Sequence, residues 1–276
     1  MPLECFKLTL EYDGTRYHGW QSQKNSRTIQ DALIAAAREV LQVDVDVGGA
    51  GRTDAGVHAL AQVAHLKFRV SSSASRDSGS TFRASGSGSR SLWLCDQLNR
   101  ALPSDIVVLT VEKTDANFHA RHDAVRRYYL YQVANRKTAF AKRYVWWVKE
   151  SLNLAAMQHA TEMLLGRHDF AAFGEKGGER KSTLVEVYEC SLNATEELIL
   201  IRIGASHFLW KLVRRLVGSL VEIGRGNLSR DAFAEMLEHK KGSAAPFTAP
   251  ASGLFLQKVT YSEEEQPGEL SPVMWV

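Results

Sequence analysis

The chain has 276 residues, of which 45% are hydrophobic and 24% are charged, and its formal net charge is +3. This is the composition of a globular protein that can bury one large core or two moderate ones. No stretch approaches the roughly 18 apolar residues that a membrane span needs, so we expect a cytoplasmic protein without a membrane segment. The net charge is too small to identify a partner.

The cysteines and two of the histidines bear on metal and disulfide chemistry. Cys5, Cys95 and Cys190 are far apart, odd in number and without a Cys-x-x-Cys pair, so neither a disulfide framework nor a zinc site is indicated. His58 and His65 lack the sequence context of a zinc enzyme. We therefore expect no bound metal.

The first part of the chain alternates strand and helix patterns. Residues 6–12 alternate apolar and polar side chains, which predicts a half-buried strand that ends in a turn at Asp13 and Gly14. Thr28 followed by Asp31 resembles a capping box and predicts the start of a helix over 29–41. Further patterns predict a strand at 62–68, a helix at 92–102 and a strand at 106–111.

Residues 71–91 are rich in serine and contain little apolar material. Such a segment cannot bury enough surface to offset the entropy of ordering it. We expect a flexible insertion there.

The second part of the chain repeats the alternation of strands and helices. The patterns predict strands at 127–134, 184–190, 198–204 and 254–261, and helices at 154–165 and at 208–223, the latter closed by Gly224. The alternation predicts two α+β units and is compatible with a pseudo-repeat. We place a first domain at 1–113, a second at 114–263 and a polar tail at 264–276.

Basic side chains are concentrated at 115–149, a segment that we call the basic strip. Its members are Arg121, Arg126, Arg127, Arg136, Lys137, Lys142, Arg143 and Lys149. Aromatic residues interleaved with them include Phe118, Tyr128, Tyr129, Tyr131, Tyr144, Trp146 and Trp147. Two interpretations are open: a surface that binds phosphates and stacks bases, or a solvated strand face above an aromatic core.

The glycine-rich segment 48–58 is the strongest candidate for chemistry. It has four glycines around Arg52, Thr53 and Asp54, a composition that allows unusual backbone angles beside a carboxylate. Its spacing fits neither a dinucleotide fingerprint nor a P-loop. An aspartate beside a glycine is most often a turn residue, so Asp54 becomes a functional candidate only in a wider context.

That context consists of six segments, one of which contains Asp54. In order they are Tyr-Asp-Gly-Thr-Arg-Tyr-His-Gly-Trp-Gln at 12–21, Gly-Ala-Gly-Arg-Thr-Asp-Ala-Gly-Val-His-Ala at 49–59, Phe-His-Ala-Arg at 118–121, Arg-Tyr-Tyr-Leu-Tyr at 127–131, Phe-Leu-Trp-Lys-Leu-Val-Arg-Arg-Leu-Val-Gly at 208–218, and Ala-Pro-Ala-Ser-Gly-Leu at 249–254. Together they make the chain resemble the tRNA pseudouridine synthase A (TruA) family. The resemblance extends over nearly the whole chain outside the serine-rich segment and the last dozen residues.

The resemblance implies a fold and an activity. The expected fold is α+β, with two ferredoxin-like, RNA-recognition-like halves, a mostly antiparallel sheet, helices on one side and an active-site cleft between the halves. The expected enzyme is a homodimer that isomerises uridines 38, 39 and 40 in the anticodon stem-loop of tRNA. Neither a metal nor an organic cofactor is implied.

The resemblance also implies roles for four residues. Asp54 matches the catalytic aspartate, and Arg52 lies beside it in the family's Arg-Thr-Asp pattern. Counting without gaps from Phe118 puts the family's active-site tyrosine at Tyr129. Arg214 matches the arginine that partners the aspartate, so we expect an ion pair between Arg214 and Asp54.

Two other functions remain possible on the sequence. A non-catalytic RNA-binding module would also combine two RNA-recognition-like halves with basic and aromatic strips, although the Arg52-Thr53-Asp54 loop argues against it. A related uridine-modifying enzyme with other RNA targets would share the chemistry and differ only in substrate.

Overall fold

The computed structural model describes residues 2–69, 87–174, 182–238 and 242–274. The chain divides into two compact units, residues 1–124 and residues 125–276, which we call unit 1 and unit 2. Both are α+β, and their strands pair almost entirely in the antiparallel sense. In the described ranges, no helix is both long enough and apolar enough to cross a membrane.

Unit 1 has four strands and two α-helices among its described residues. In chain order they are β1 (Leu3–Tyr12), α1 (Ile29–Leu41), β2 (Val45–Gly49), β3 (His58–Arg69), α2 (Ser87–Ala101) and β4 (Ile106–Thr114). The strands lie in the order β4-β1-β3-β2, and each neighbouring pair is antiparallel.

Local sequence explains how two of these elements begin and pair. The predicted alternation is confirmed in β1, where Phe6 and Leu8 are fully buried and lie opposite Leu66 and Ala64 of β3. The predicted start of α1 is also confirmed, because the Thr28 side chain accepts a hydrogen bond from the N–H of the third helical residue. The core of unit 1 therefore follows the period of the sequence.

Three elements of unit 1 differ from the prediction. The strand β2 was missed because its two glycines weaken the strand pattern; yet a Cβ on Gly48 would overlap the His65 ring, and one on Gly49 the Trp20 ring. The next strand begins at His58 rather than at 62. Helix α2 begins at Ser87, so 87–91 belong to a helix and not to an insertion; the rest of 71–91 lies outside the described residues.

Unit 2 has six strands and three α-helices in its described part. They are β5 (Arg126–Ala134), β6 (Trp146–Trp147), α3 (Leu154–Glu162), β7 (Gly166–Asp169), β8 (Leu184–Ala194), β9 (Leu198–Ala205), α4 (Leu212–Arg225), α5 (Arg230–Glu238) and β10 (Leu254–Thr260). The strand order is β10-β5-β9-β8-β7, with antiparallel neighbours, and the short β6 runs parallel to β5.

The boundaries of α4 differ from the prediction at both ends. The helix begins at Leu212 instead of 208 because Lys211 has a left-handed φ of 60°, which helical residues do not adopt. Gly224 lies inside the helix, where a Cβ would crowd Met157. The cap is Gly226, which has a φ of 79° and donates its N–H to Ile223.

Other differences in unit 2 concern short elements. Helix α3 ends at Glu162, not at 165, and β6, β7 and α5 were not predicted. The polar tail bonds back to the sheet: the carbonyl of Gly268 accepts from Arg202 at 2.9 Å, and the N–H of Val273 donates to the Gln132 side chain at 2.7 Å. Short elements and tails depend on such distant partners, which a local pattern does not contain.

Candidate active site

Asp54 lies on residues 50–57, which connect β2 to β3 and which we call the Asp54 loop. Its first residue, Ala50, donates its N–H to Val63 of β3 at 2.8 Å. A tight turn follows Asp54, whose carbonyl accepts from the N–H of Val57 at 3.1 Å, and Gly56 adopts a φ of 76° within it. The loop is therefore folded around the aspartate.

The segment after β1 holds the loop from another side. The carbonyl of Thr53 accepts the N–H of Trp20 at 3.0 Å, and Gly56 donates its N–H to the carbonyl of Tyr17 at 3.2 Å. Gly19 makes this approach possible: it has a φ of 90°, and a Cβ there would overlap the Thr53 carbonyl oxygen. The motif at 12–21 thus packs against the backbone next to Asp54.

A buried polar network lies behind the loop. Gln62 is fully buried, accepts the N–H of Gly51 at 3.2 Å and donates to the carbonyl of the same residue at 2.8 Å. The Tyr12 hydroxyl shares a 2.8 Å hydrogen bond with the hydroxyl of Thr53. Sequence reasoning missed Tyr12 and Gln62 as supports, although a polar residue inside an apolar strand pattern was a usable signal.

Exposure alternates along the three central residues of the loop. Arg52 is exposed, Thr53 is only 6% exposed, and Asp54 is partly exposed. The loop therefore holds its threonine inward, while Arg52 and Asp54 on either side of it keep part of their surface exposed. A partly exposed carboxylate on a backbone fixed from several sides can act as a base, a nucleophile or an ionic partner.

The two histidines of β3 have structural contacts. His58 accepts the N–H of Gly14 at its Nδ1, at 3.1 Å, and His65 accepts the N–H of Ala120 in the same way. Burial, together with the neighbouring His119, lowers the pKa of His65 to about 4. Within the described residues, no group of three or more His, Cys, Asp or Glu side chains could hold a metal ion.

The two other candidate residues belong to unit 2. Tyr129 lies on β5 between Ile203 of β9 and Leu256 of β10, is 7% exposed, and meets the Phe208 ring nearly at right angles with centroids 5.0 Å apart. Its position is therefore fixed on both sides by the sheet.

Arg214 is in the first turn of α4 and is partly exposed. Its Nε donates to the carbonyl of Ala249 at 2.7 Å, and its own carbonyl accepts the N–H of Ala249 at 3.0 Å. This double contact joins the motifs at 208–218 and 249–254 and orients the guanidinium plane. The ion pair expected between Arg214 and Asp54 stays a prediction.

The basic strip contains both of the environments that the sequence left open. Arg127 is buried and donates to the carbonyl of Ser206 at 2.9 Å, while Arg126 lies 4.4 Å above the Tyr188 ring. Tyr128, Tyr129 and Tyr131 are buried in the same strand. This part of the strip therefore has an aromatic core rather than a base-stacking surface.

The remainder of the strip is a basic surface. Its exposed cations in unit 2 are Arg136, Lys137, Lys142, Arg143 and Lys149. Phe140, in the middle of them, is 93% exposed and was not among the aromatics singled out from the sequence. The section 136–149 therefore combines positive charge with an open aromatic ring.

Comparisons with known proteins identify the family that the six segments resemble, although the residues matched by the family model leave out the segment at 127–131. A family model described as tRNA pseudouridine synthase matches residues 9–123 and 160–262. A protein named tRNA pseudouridine synthase A from Thermoanaerobacter sp. (strain X514) is 38% identical over 256 residues, which cover 92% of this chain and 98% of that protein. One of the same name from Thermosipho melanesiensis is 38% identical over 261 residues, which cover 94% of this chain and all of the relative.

Proposed function

The chain belongs to the tRNA pseudouridine synthase A family, and from that premise we propose that it isomerises uridines in the anticodon stem-loop of tRNA, with Asp54 as the reactive group and no cofactor. The enzyme class follows from the family: a tRNA pseudouridine synthase is an isomerase. The choice of residue and of tRNA site is the proposal.

The reaction requires no redox change and no group donor. The N1–C1′ glycosidic bond of uridine breaks, the uracil turns within the site, and C5 bonds to C1′ while the C5 proton is lost and N1 is protonated. A carboxylate can supply the reactive group, as in glycosidases that stabilise or capture an oxocarbenium-like sugar. Three roles for Asp54 are open: attack at C1′, attack at C6, or removal of the C2′ proton.

The observation that carries the assignment is the anchoring of the Asp54 loop. The loop is bonded on one side to β3, through Ala50, and on the other to the segment after β1, through Thr53. Asp54 remains partly exposed although the residue before it is buried. Rigid support of an accessible reactive group is what a catalytic residue needs, and an ordinary turn aspartate needs no such support.

Substrate binding is proposed for Arg52, Tyr129 and Arg214. Uridine in a stem must be flipped out before its C1′ and C5 can react, which costs a few kcal/mol of unstacking. Tyr129 is only 7% exposed, so its contact with the flipped uracil would be limited to the small part of the residue that remains accessible, and would offset a correspondingly small part of that cost. The two arginines would bind the phosphates or the reacting nucleotide, and the fixed plane of Arg214 favours a directed contact.

The basic surface at 136–149 is proposed to bind the tRNA backbone. Its five exposed cations suit phosphates, and Phe140 offers an aromatic face for an unpaired base. Recognition of backbone and shape would suit an enzyme that acts on neighbouring uridines in different sequences. We also propose that the enzyme acts in the cytoplasm, as a homodimer; sedimentation would test the latter.

The expected ferredoxin-like halves are likewise a proposal. In unit 1 the strands lie in the order β4-β1-β3-β2. When the short strands β6 and β7 are set aside, the first to fourth strands of unit 2 are β5, β8, β9 and β10, and they lie in the order β10-β5-β9-β8. Each unit thus places its first strand between its last and its third. This shared order supports a pair of related βαββαβ halves.

Tritium release tests the activity directly. Uridine labelled at C5 in a tRNA transcript loses its label to water when C5 bonds to C1′, so the purified protein should release tritium without an added metal or cofactor. A transcript in which the anticodon-stem uridines are replaced should release much less. Binding without release from any tRNA would mean that the chain is an RNA-binding module, and the proposal would fall.

A further inference from the structure

Gln62 stands out because it is a fully buried amide in the middle of a strand. Both ends of its side chain bond one residue, Gly51, whose N–H donates to Oε1 at 3.2 Å and whose carbonyl accepts from Nε2 at 2.8 Å. The side chain thus pairs with the loop backbone as a neighbouring strand would. Gly51 is three residues before Asp54.

The same amide also determines the direction of its hydrogen bond with Tyr12. Because a donor and an acceptor of Gly51 occupy the two ends, Nε2 is the atom that faces the Tyr12 hydroxyl, at 3.4 Å. An amide N–H only donates, so the Tyr12 oxygen accepts from Gln62, which leaves its own hydrogen available for the 2.8 Å hydrogen bond that it shares with the hydroxyl of Thr53. Burial raises the pKa of Tyr12 to about 12, which keeps this hydrogen in place near neutral pH.

We propose that Gln62 and Tyr12 are positioning residues for the isomerisation, because they fix the loop backbone at Gly51 and at Thr53 and so set the location of the Asp54 carboxylate. This inference rests on the proposed function. Neither residue contacts the reacting uridine; each acts through the loop. A shift of about 1 Å in a reactive group can lower a rate on the order of 100-fold, so weak bonds at this place can control turnover.

A second buried amide in unit 2 separates positioning from simple stability. Gln132 is also fully buried, and its side chain also bonds the main chain at both ends, to the carbonyl of Tyr144 at 3.0 Å and to the N–H of Val273 at 2.7 Å. It supports the tail of unit 2 and the backbone of Tyr144 in the section 136–149, rather than the Asp54 loop. The same substitution at Gln62 and Gln132 therefore removes similar bonds with different consequences for the loop.

The experiment compares Gln62→Met and Gln132→Met, which keep the length of the side chain and remove both of its strong hydrogen bonds. Single-turnover rates on a tRNA transcript and the KM for tRNA are measured with the full chain. We expect kcat of Gln62→Met to fall about 10- to 100-fold with KM changed less than threefold. We expect kcat of Gln132→Met to stay within threefold of wild type, with any loss confined to KM. Equal losses in the two variants would overturn the inference.

Milder substitutions keep the test decisive if Gln62→Met does not fold. Tyr12→Phe removes the hydroxyl that bonds Thr53. At Thr53 itself, Thr53→Ser keeps a hydroxyl that Thr53→Val lacks. We expect a lower kcat in Tyr12→Phe and in Thr53→Val, and a kcat close to that of the wild type in Thr53→Ser. Wild-type kcat in all three variants would overturn the inference. An inactive wild-type protein would instead refute the proposed function, so the two failures are distinguishable.

Discussion

The same topological connection has different designs in the two units. In unit 1, the second and third strands, β2 and β3, are joined by residues 50–57, which carry Asp54. In unit 2, the second and third strands of the shared order, β8 and β9, are joined by residues 195–197, a tight turn in which the N–H of Thr195 donates to Leu198 at 2.8 Å. Both connections carry a carboxylate, Asp54 in unit 1 and Glu197 in unit 2.

The difference lies in what supports each carboxylate. Glu197 follows an exposed residue and pairs with the exposed Arg136 at 2.8 Å, an arrangement worth at most about 1 kcal/mol. Asp54 follows a buried threonine on a loop that is bonded to β3 and to the segment after β1. An acidic side chain on a connection is a turn residue by default, and we propose that buried support of this kind distinguishes a functional one.

The largest expected effect comes from exchanging the carboxylate for an amide in each connection. Asp54→Asn should lower pseudouridine formation by about 10²–10⁴-fold or more, because an amide can neither accept a proton nor attack carbon. Affinity for tRNA should stay within a few-fold. Glu197→Gln is the matched control and should retain wild-type turnover in single-turnover assays.

More than a tenth of wild-type turnover in Asp54→Asn would remove Asp54 from the centre of the mechanism. A comparable loss in Glu197→Gln would mean that the two connections do not differ in function, and the comparison itself would be wrong.

Acid should weaken unit 1 through His65. This buried residue has its pKa lowered to about 4, mainly by burial and then by His119, while Asp46 opposes the shift. Between pH 6.5 and 4 the unfolded chain binds a proton that the folded chain does not, so stability is lost as the pH falls through that window. At pH 5 the loss amounts to about 2 kcal/mol relative to pH 7.5.

Urea unfolding at several pH values measures this loss. His65→Gln should flatten the pH dependence, whereas His159→Gln, an exposed position on α3 of unit 2, should leave it unchanged. Identical slopes in the wild type and His65→Gln would contradict the assignment.

Substitution of Gly19 tests whether the segment after β1 must pack closely against the Asp54 loop. In Gly19→Ala the added Cβ strains a left-handed backbone and also overlaps the carbonyl oxygen of Thr53. We therefore expect a roughly 10-fold loss of turnover and a loss of stability. Gly226→Ala, at the end of α4, has a similar φ but open space, and should cost about 1 kcal/mol of stability with normal turnover. Thermal melts and turnover of both proteins decide the matter; normal activity in Gly19→Ala would show that the loop tolerates displacement.

The smallest effect concerns the basic surface of unit 2. Lys142→Gln should reduce the slope of log Kd for tRNA against log salt by about 0.7–0.9, because one phosphate contact is lost. Arg230→Gln removes the same charge from an exposed position outside the strip and should leave the slope unchanged. Equal slopes in both variants would show that 136–149 is a solvated face.

Local signals in the sequence predicted the elements that local physics determines. The alternation at 6–12 and the Thr28 cap depend on neighbours one to four residues away, and both are present as expected. The start of α4 was misplaced because the left-handed backbone at Lys211 is not visible in hydrophobic periodicity. Strand β2 was missed because its glycines make room for the rings of His65 and Trp20, which are distant in sequence.

The candidate site likewise has a part that the sequence could predict and a part that it could not. The Asp54 loop could be found from its glycines and from the ordered motifs, because composition and resemblance are properties of the sequence. The support from Tyr12 and Gln62 depends on pairings 41 and 11 residues apart, which no local pattern contains. Such support becomes visible only when β1 and β3 lie side by side.

The central claim, that Asp54 isomerises anticodon-stem uridines of tRNA, is tested most directly by mapping pseudouridine at nucleotide resolution. Transfer RNA is isolated from cells that lack this chain and carry either the wild type or Asp54→Asn, and pseudouridines are located by chemical derivatisation. We predict that the wild type restores pseudouridine in the anticodon stem-loop and that Asp54→Asn, produced at the same level, restores none. Restoration by both proteins, or by neither, would contradict the account.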